Sequence, residues 1–370
     1  MTRPRVLMLL DQLEPRSGGG ERFAVGLAAH LPVHGFDAAL CATRAVLAPW
    51  DRTLAESGVP WFALGRRSTA DVLPFAHLAR VLRRERVDVL HAHMFGSNVW
   101  GTIVGRAARV PVVVAHEQTW DYEGQPVRRF LDGCLIGRCA DAFVAVSPAD
   151  RDRMERLEGV PADKLRVELN AYVPRTGPRP PARLREELGL DAGVPLVATA
   201  AILRPQKALH VLLDAMARLR TPAHLVVAGD GVCRADLERR ADALGVAART
   251  HFLGLRDDVD AILAGADVAA MSSDFEGTPL FAFECMAAGT PLVATAVGGL
   301  PDMLEDGRSA ILVPRRDPVA LAAALDRLLD SPAERATLAA AAAQRLARYR
   351  IDAVAGRFAD LYRELLERKR

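Results

Sequence analysis

Short apolar runs alternate with amphipathic segments along the first half of the chain, and this alternation is the feature that most constrains its fold. Continuous apolar runs are typical of strands buried on both faces, whereas the segments between them carry apolar residues at helical spacing. Strands that alternate with helices predict a parallel sheet covered by helices on both faces, which is the α/β class. The predicted strands cover residues 5–10, 36–43, 87–93, 112–116 and 142–146.

A second alternation of the same kind follows a stretch rich in proline. Residues 174–181 read Pro-Arg-Thr-Gly-Pro-Arg-Pro-Pro, which fits a semi-rigid linker better than a helix or a central strand. We therefore place a domain boundary there, between one Rossmann-like domain at residues 1–175 and a second at 182–350. The predicted strands of the second domain cover residues 196–201, 224–229, 250–253, 267–271, 292–295 and 310–313.

Composition and charge argue against several classes of protein. The formal net charge is only +2 and no basic block stands apart from the helices, so nucleic acid is not an expected partner. The five cysteines are scattered without a Cys-x-x-Cys pair, which fits reduced thiols. No apolar stretch is long enough to span a membrane, so we expect a cytoplasmic protein. The arginines within residues 80–86 leave peripheral contact with the inner face of the cell membrane open, against the alternative of a solvated helix face.

The segment of residues 272–302 predicts an anion site built on helix N-termini. A buried strand leads into a helix that takes Pro279 in its first turn. Free backbone N–H groups and the helix dipole favour a phosphate at such a terminus. Glu276 precedes the helix and Glu284 lies inside it, and a carboxylate accepts hydrogen bonds from vicinal hydroxyls. With a second helix terminus at residues 298–301, the segment predicts a site for a diphosphate between two polyols.

Within this segment, Glu276 and Glu284 are separated by seven residues and followed by Ala-Ala-Gly-Thr-Pro and Gly-Gly-Leu-Pro-Asp. The arrangement resembles the donor-site signature of glycosyltransferase family 4, and the resemblance extends over nearly the whole chain. It implies the GT-B fold, in which two doubly wound Rossmann-like domains face an interdomain cleft, with the C-terminal helix of residues 351–370 joined to the first domain. It also implies a retaining hexosyltransferase that uses a nucleotide-diphosphate sugar without a metal or other cofactor. The acceptor would be a carbohydrate, a lipid-linked molecule or a small molecule.

The resemblance implies roles for individual residues. Glu276 would hold hydroxyls of the donor sugar, and Glu284 would hold the ribose of the nucleotide. Lys207 matches a lysine that neutralises the diphosphate, whereas Ile202 stands where the family has an arginine, so we expect Arg204 to supply that charge. The expected catalytic residues are Glu276, Lys207, Arg204 and His116. The expected donor-binding residues are Glu284, Gly277, Thr278, Pro279, Leu280, Gly18, Gly19, Gly20 and Gly229.

Three of these features have simpler alternatives. The glycines at 18–20 resemble a family motif that approaches the ligand, but they also fit a flexible helix cap. Gly229 matches a loop near the nucleotide and equally an ordinary turn. His116 matches a histidine beside the donor sugar, and its alternative is a capping role.

No metal site is expected from the sequence. His91 and His93 lie two apart on one predicted strand and therefore face the same side. A metal needs at least one further ligand, and none is found at a suitable spacing. The acidic residues at 257–260 stand at a predicted helix start, where capping is favoured over metal binding.

Departures from the family pattern keep two other functions open. Ile202 replaces an arginine, and Ala208 and Ala171 replace glycines. A sugar-nucleotide epimerase of the same GT-B architecture would bind a similar donor and transfer nothing. A degenerate protein would only bind the nucleotide sugar.

Overall fold

The computed structural model describes residues 3–14, 18–68, 70–118, 125–174 and 183–370. Residues 175–181, within the predicted linker, lie outside the described residues. The chain divides into two compact units. The first comprises residues 1–176 together with 348–370, and the second comprises residues 177–347.

The described part of the first unit contains a parallel sheet of seven strands. They are β1 Arg5–Leu10, β2 Asp37–Ala42, β3 Trp61–Ala63, β4 Val89–His93, β5 Val112–His116, β6 Ala142–Ala145 and β7 Leu165–Val167. Their order in the sheet is β3-β2-β1-β4-β5-β6-β7. The central strands are buried on both faces, as expected for a parallel sheet covered by helices on both sides.

Seven α-helices follow these strands in the described residues up to 174. They are α1 Gly19–His30, α2 Trp50–Ser57, α3 Leu73–Arg84, α4 Phe95–Ala108, α5 Pro126–Phe130, α6 Gly137–Cys139 and α7 Pro148–Arg153. Two π-helical segments adjoin them, Leu131–Ile136 between α5 and α6 and Met154–Glu158 after α7.

The second unit contains a parallel sheet of six strands within its described residues. They are β8 Leu196–Ala200, β9 His224–Ala228, β10 Thr250–Gly254, β11 Val268–Met271, β12 Leu292–Thr295 and β13 Ile311–Val313. Their order is β10-β9-β8-β11-β12-β13. Strands β9 and β10 extend the sheet on one side of β8, and β11 to β13 extend it on the other, so the strand order reverses between β8 and β11. Its helices are α8 Leu184–Glu187, α9 Leu209–Met216, α10 Arg234–Ala243, α11 Val259–Gly265, α12 Leu280–Ala288, α13 Leu300–Met303, α14 Pro318–Asp330 and α15 Pro332–Leu346.

The last helix, α16 Ile351–Glu367, packs on the first unit. Phe358 and Tyr362 are buried in the same apolar cluster as Phe23 and Phe36. The ring centroids of Phe36 and Tyr362 lie 5.6 Å apart in an edge-to-face arrangement. Burying side chains of this size stabilises the unit by about 1.5–3 kcal/mol each, so α16 is part of its core.

These two Rossmann-like sheets confirm the predicted α/β class. Among the described residues, no helix has both the length and the apolar character needed to cross a membrane.

Candidate functional site

Two loops meet at the carboxyl edge of the second sheet, one after β8 and one after β11. The backbone N–H of Asp274 donates to the carbonyl of Gln206 at 2.9 Å, and the Gln206 side chain donates to the carbonyl of Phe275 at 3.1 Å. The Ser272 hydroxyl donates to the carbonyl of Lys207 at 3.0 Å. These hydrogen bonds hold the loops together at the point where the strand order reverses, which is where open α/β sheets bind ligands.

An ion pair also joins the two loops. Nζ of Lys207 lies 2.6 Å from Oε1 of Glu276, and the Ser273 hydroxyl donates to the same oxygen at 2.6 Å. The Glu276 side chain is 6% exposed and the Lys207 side chain 23% exposed. Thr295 fixes the loop further by donating to the Ser273 carbonyl at 2.7 Å. Removing either member of the pair would leave a charge with little access to water, so the two charges depend on each other.

Helix α12 begins at Leu280, directly after this turn. Its N-cap, Pro279, makes no side-chain capping hydrogen bond. The first N–H groups of a helix have no partner within the helix, and they lie at the positive end of its dipole. Gly277 and Thr278 are buried just before the helix, and Glu284 is partly exposed on its second turn. The predicted donor-binding residues of this segment therefore surround one helix N-terminus.

The turn before α13 packs directly against the Glu276 turn. The backbone N–H of Gly299 donates to the carbonyl of Gly277 at 2.8 Å. Gly298 has a φ of +56°, and a Cβ placed on it would come within 1.8 Å of the Glu276 carbonyl oxygen. Glycine is therefore required at this close approach. The helix predicted here is only four residues long, Leu300–Met303, so its dipole is smaller than that of α12.

Gly229 and Arg204 lie at the same edge of the second sheet. Gly229 follows β9 with a φ of +134°, and a Cβ on it would come within 1.9 Å of the Ala201 carbonyl oxygen. Arg204 is exposed, and its guanidinium makes no hydrogen bond with any described residue. Ala208, which replaces a family glycine, has left-handed backbone angles of φ 45° and ψ 38°. The backbone conformation suited to glycine is thus retained at a cost of about 1–2 kcal/mol.

The predicted glycine motif lies in the first unit. Gly18 is the N-cap of α1, and its N–H donates to Oε2 of Glu21 at 2.9 Å. Gly19 is the first residue of the helix. A Cβ on Gly20 would lie 3.0 Å from Cγ of Gln118, so Gly20 allows the helix start to approach the segment after β5. This arrangement agrees with a helix cap, and contact of these glycines with a ligand stays a prediction.

His116 lies in the core of the first unit. It pairs in register with His93 across β4 and β5, and His91 shares their face of the sheet. All three side chains are fully buried, against Phe23 and Phe358 among others. Burial lowers the pKa of His93 to about 3 and holds the pKa values of His91 and His116 well below the usual value, so the three imidazoles are neutral at pH 7. His116 is fully buried in this structure, and its expected contact with a donor sugar stays a prediction.

The prediction that His91 and His93 have no third partner is wrong. One ring nitrogen from each of them and one from His116 lie within 4.8 Å of one another. The signal was present in the sequence, because both strands end in histidine and neighbouring parallel strands bring their carboxyl ends together. What sequence reasoning lacked was the register that pairs His93 with His116.

Two further residues of the second unit were missed. Ser273 donates to Glu276, and Gly298 packs on the Glu276 carbonyl. A serine three residues before a glutamate is too common to predict such a bond. The double glycine at 298–299 was noticed as a helix terminus, but its contact with the other turn depends on the three-dimensional fold.

Comparison with known proteins assigns the family. Residues 17–172 match the model of Glycosyltransferase Family 4, and residues 193–331 match that of Glycosyl transferases group 1. A D-inositol 3-phosphate glycosyltransferase from Xylanimonas cellulosilytica is 31% identical over an alignment of 328 residues, which covers 80% of this chain and 77% of the relative. This protein is a family-4 glycosyltransferase.

Further relatives agree with the assignment. An alpha-D-kanosaminyltransferase from Streptomyces kanamyceticus is 30% identical over an alignment of 310 residues, which covers 77% of this chain and 79% of that enzyme. Among solved structures, Anabaena HepE in complex with UDP-glucose aligns with a TM-score of 0.85 at 22% identity, covering 97% of this chain and 99% of that one. Sucrose-phosphate synthase from Thermosynechococcus elongatus aligns with a TM-score of 0.78 at 20% identity, covering 99% and 100%. The family-4 glycosyltransferase described here shares the GT-B fold with both.

Proposed function

We propose that this enzyme transfers a sugar from a nucleotide-diphosphate sugar to a hydroxyl-bearing acceptor, with retention of anomeric configuration. The observation that carries the proposal is the Lys207–Glu276 pair, held beside the N-terminus of α12. A cation next to a carboxylate offers one group for a phosphate and another for sugar hydroxyls. The neighbouring helix N-terminus adds backbone N–H donors of the kind that bind phosphate.

The proposed mechanism follows from how charge moves during transfer. The anomeric carbon becomes positive while negative charge grows on the departing diphosphate. Lys207 moves from Glu276 to the diphosphate, and Arg204 supplies a second cation in place of the arginine replaced by Ile202. Glu276 then accepts hydrogen bonds from the donor sugar, and Glu284 accepts them from the ribose. We assign no nucleophile for the retaining reaction.

The relatives support the choice of substrates. HepE is described in complex with UDP-glucose, which supports a nucleotide sugar as donor. One relative is named for D-inositol 3-phosphate, which supports a polyol as acceptor, and another is named for transfer of a kanosaminyl group, which supports a sugar as the transferred group. The proposal extends to a lipid-linked acceptor and to peripheral contact with the inner face of the membrane.

The site assignment is tested by removing each member of the ion pair. We expect Glu276→Ala and Lys207→Ala each to lower the transfer rate by about two to four orders of magnitude, because Lys207 would contact the charge that grows on the diphosphate and Glu276 would hold the donor sugar in the transition state. Binding of UDP, GDP and ADP sugars by calorimetry identifies the donor first. Release of the nucleoside diphosphate, with and without a panel of acceptors, then gives the rate.

Matched controls separate a catalytic effect from a loss of charge alone. Glu305 and Arg308 form an exposed ion pair in the same unit at 2.8 Å, so Glu305→Ala and Arg308→Ala should transfer at the wild-type rate. Wild-type rates in both Glu276→Ala and Lys207→Ala would overturn the assignment. Conversion of the donor sugar without release of the nucleotide would favour the epimerase instead.

We further propose that transfer needs no divalent metal at the donor site. Lys207, Arg204 and the N–H groups of α12 supply the positive charge, and Arg256 engages Asp258 of the acidic segment at 2.7 Å. We expect EDTA to leave the transfer rate unchanged within about twofold. A large loss that Mg²⁺ or Mn²⁺ restores would contradict this and direct attention to residues 257–260.

A further inference from the structure

A bidentate ion pair connects the proposed donor site to the edge of the second sheet. Asp274 lies in the turn after β11, and Arg316 follows β13, an edge strand of that sheet. Nε and Nη2 of Arg316 donate to Oδ1 and Oδ2 of Asp274 at 2.9 and 2.8 Å. Because each carboxylate oxygen accepts one bond from the planar guanidinium, the pair fixes the orientation of the Asp274 side chain and neutralises its charge.

Asp274 is also held through its backbone. Its N–H donates to the carbonyl of Gln206 at 2.9 Å, and Gln206 directly precedes Lys207. Ser273, on the other side, donates to the Glu276 carboxylate at 2.6 Å. Asp274 therefore connects the loops after β8, β11 and β13, and these loops carry both members of the Lys207–Glu276 pair.

Arg316 makes its bonds to Asp274 from a strained backbone conformation. Its φ is +59°, a left-handed value that residues with a Cβ rarely adopt. The next residue, Asp317, is the N-cap of α14, and its side chain accepts hydrogen bonds from the N–H groups of Val319 and Ala320. Arg316 is thus anchored on a rigid helix start. Strain of this kind persists only where the surrounding structure holds it, and it occurs often at functional sites.

The exposure of the two side chains indicates that their pairing matters more for local geometry than for the stability of the fold. The Arg316 side chain is 67% exposed and the Asp274 side chain 14% exposed. A pair with one partner in water contributes little to stability, and the strain at Arg316 offsets part of that contribution. Without Arg316, however, the poorly hydrated Asp274 carboxylate would be left as an additional negative charge next to the loop of Lys207. Such a charge would compete with the diphosphate for this lysine.

We propose that Arg316 is a positioning residue for sugar transfer. It holds Asp274, and Asp274 in turn fixes the loop that presents Glu276 and leaves Lys207 available for the diphosphate. This role rests on the proposed function of the Lys207–Glu276 pair. Because Arg316 acts through Asp274, its loss should lower the rate of transfer while the fold stays intact.

A glycine at position 316 separates the rate of transfer from stability. Arg316→Gly removes the guanidinium and also relieves the left-handed strain, so the variant should unfold in urea at about the wild-type concentration. We expect kcat, measured by release of the nucleoside diphosphate, to fall about tenfold, because small displacements of catalytic groups are costly. KM for the donor should rise less than about threefold, because the negative charge of the diphosphate is largest in the transition state. Arg316→Asn, which also tolerates the left-handed conformation, should show the same loss and serves as a second test.

Arg109→Gly is the matched control. Arg109 has a φ of +60° at the C-cap of α4, and its exposed side chain makes no ion pair among the described residues. The control therefore relieves the same strain and removes the same charge, and it should transfer at the wild-type rate with the wild-type KM.

A double variant tests whether the effect passes through Asp274. Asp274→Ala removes the carboxylate that Arg316 holds. Adding Arg316→Gly to Asp274→Ala should lower kcat by less than about twofold, because the two residues act as one unit. A tenfold loss that persists in the Asp274→Ala background would overturn the proposal, as would an equal loss of rate in Arg109→Gly.

Glu276→Ala in the same assay distinguishes failure of this role from failure of the proposed function. A slow Glu276→Ala together with wild-type rates in Arg316→Gly and Arg316→Asn would overturn the role of Arg316 and leave the proposed function standing. A wild-type rate in Glu276→Ala would overturn the donor site itself and the role of Arg316 with it.

Discussion

Gly298 constrains the backbone of the turn that carries Glu276 in the proposed donor site. Its φ of +56° is unfavourable for other residues, and a Cβ would come within 1.8 Å of the Glu276 carbonyl oxygen. We expect Gly298→Ala to lower the free energy of unfolding by at least about 3 kcal/mol, because a backbone segment must move as well as adopt a strained conformation. Urea unfolding followed by circular dichroism measures the loss.

Gly307→Ala is the matched control. Gly307 has a φ of +71° in the same unit, but a Cβ there would meet no atom within 4 Å. This variant should lose only about 1–2 kcal/mol, the cost of the left-handed conformation. Equal losses of unfolding free energy in the two variants would mean that the close approach to Glu276 adds nothing to the cost of the left-handed conformation. Gly298→Ala should also weaken donor binding, since the displaced carbonyl belongs to Glu276.

At the scale of helices and strands, apolar runs predicted every strand of both sheets except the two edges of the first sheet. The six predicted strands of the second unit match β8 to β13 within one residue at each end. Trp61–Ala63 and Leu165–Val167 were not predicted as strands, and they are the two edges of the first sheet. Each is three residues long and only partly buried. Arg166 interrupts the apolar run of Leu165–Val167, and the apolar run of Trp61–Ala63 is too short for periodicity to distinguish a strand from a buried loop.

The residues of the proposed donor site were likewise predicted only in part from the sequence. The resemblance to family 4 singled out Lys207 and Glu276, and the loops after β8 and β11 bring them to 2.6 Å. Their support by Ser273 and the packing of Gly298 depend on contacts between loops, which no spacing in the sequence encodes. The histidine cluster was missed for a related reason, since only strand register pairs His93 with His116.

At the scale of the whole molecule, buried ionisable groups make stability depend on pH in opposite directions. The neutral histidines of the first unit have folded pKa values below the unfolded value, so their contribution is complete above about pH 6.5 and is lost as pH falls. Asp132 behaves in the opposite way. Burial, followed by the nearby Glu117 and Glu158, raises its pKa to about 9, and Arg128 opposes this only in part.

The direction in which the contribution of Asp132 to stability changes with pH follows from proton linkage. The folded state keeps this carboxyl protonated, whereas the unfolded chain releases the proton above its ordinary pKa of 3.8. Its contribution to stability is therefore complete below pH 3.8 and is lost as pH rises towards 9, by about 1.4 kcal/mol per pH unit. Above pH 6.5 the three histidines no longer oppose this slope. The first unit should be most stable slightly below neutral pH.

Replacing Asp132 by asparagine should remove that slope. Asparagine keeps the shape of the protonated acid and does not titrate, so Asp132→Asn should gain stability over the wild type by about 1.4 kcal/mol for each pH unit between 6.5 and 8.5. Tryptophan fluorescence during urea unfolding reports on the first unit, which contains Asp132, because all four tryptophans lie within the first 120 residues of the chain. Asp163→Asn, at an exposed position in the same unit, should differ from the wild type by a constant amount across this range. A constant difference for Asp132→Asn as well would show that Asp132 is ionised in the folded protein, and that its burial is compensated by water or by its neighbours.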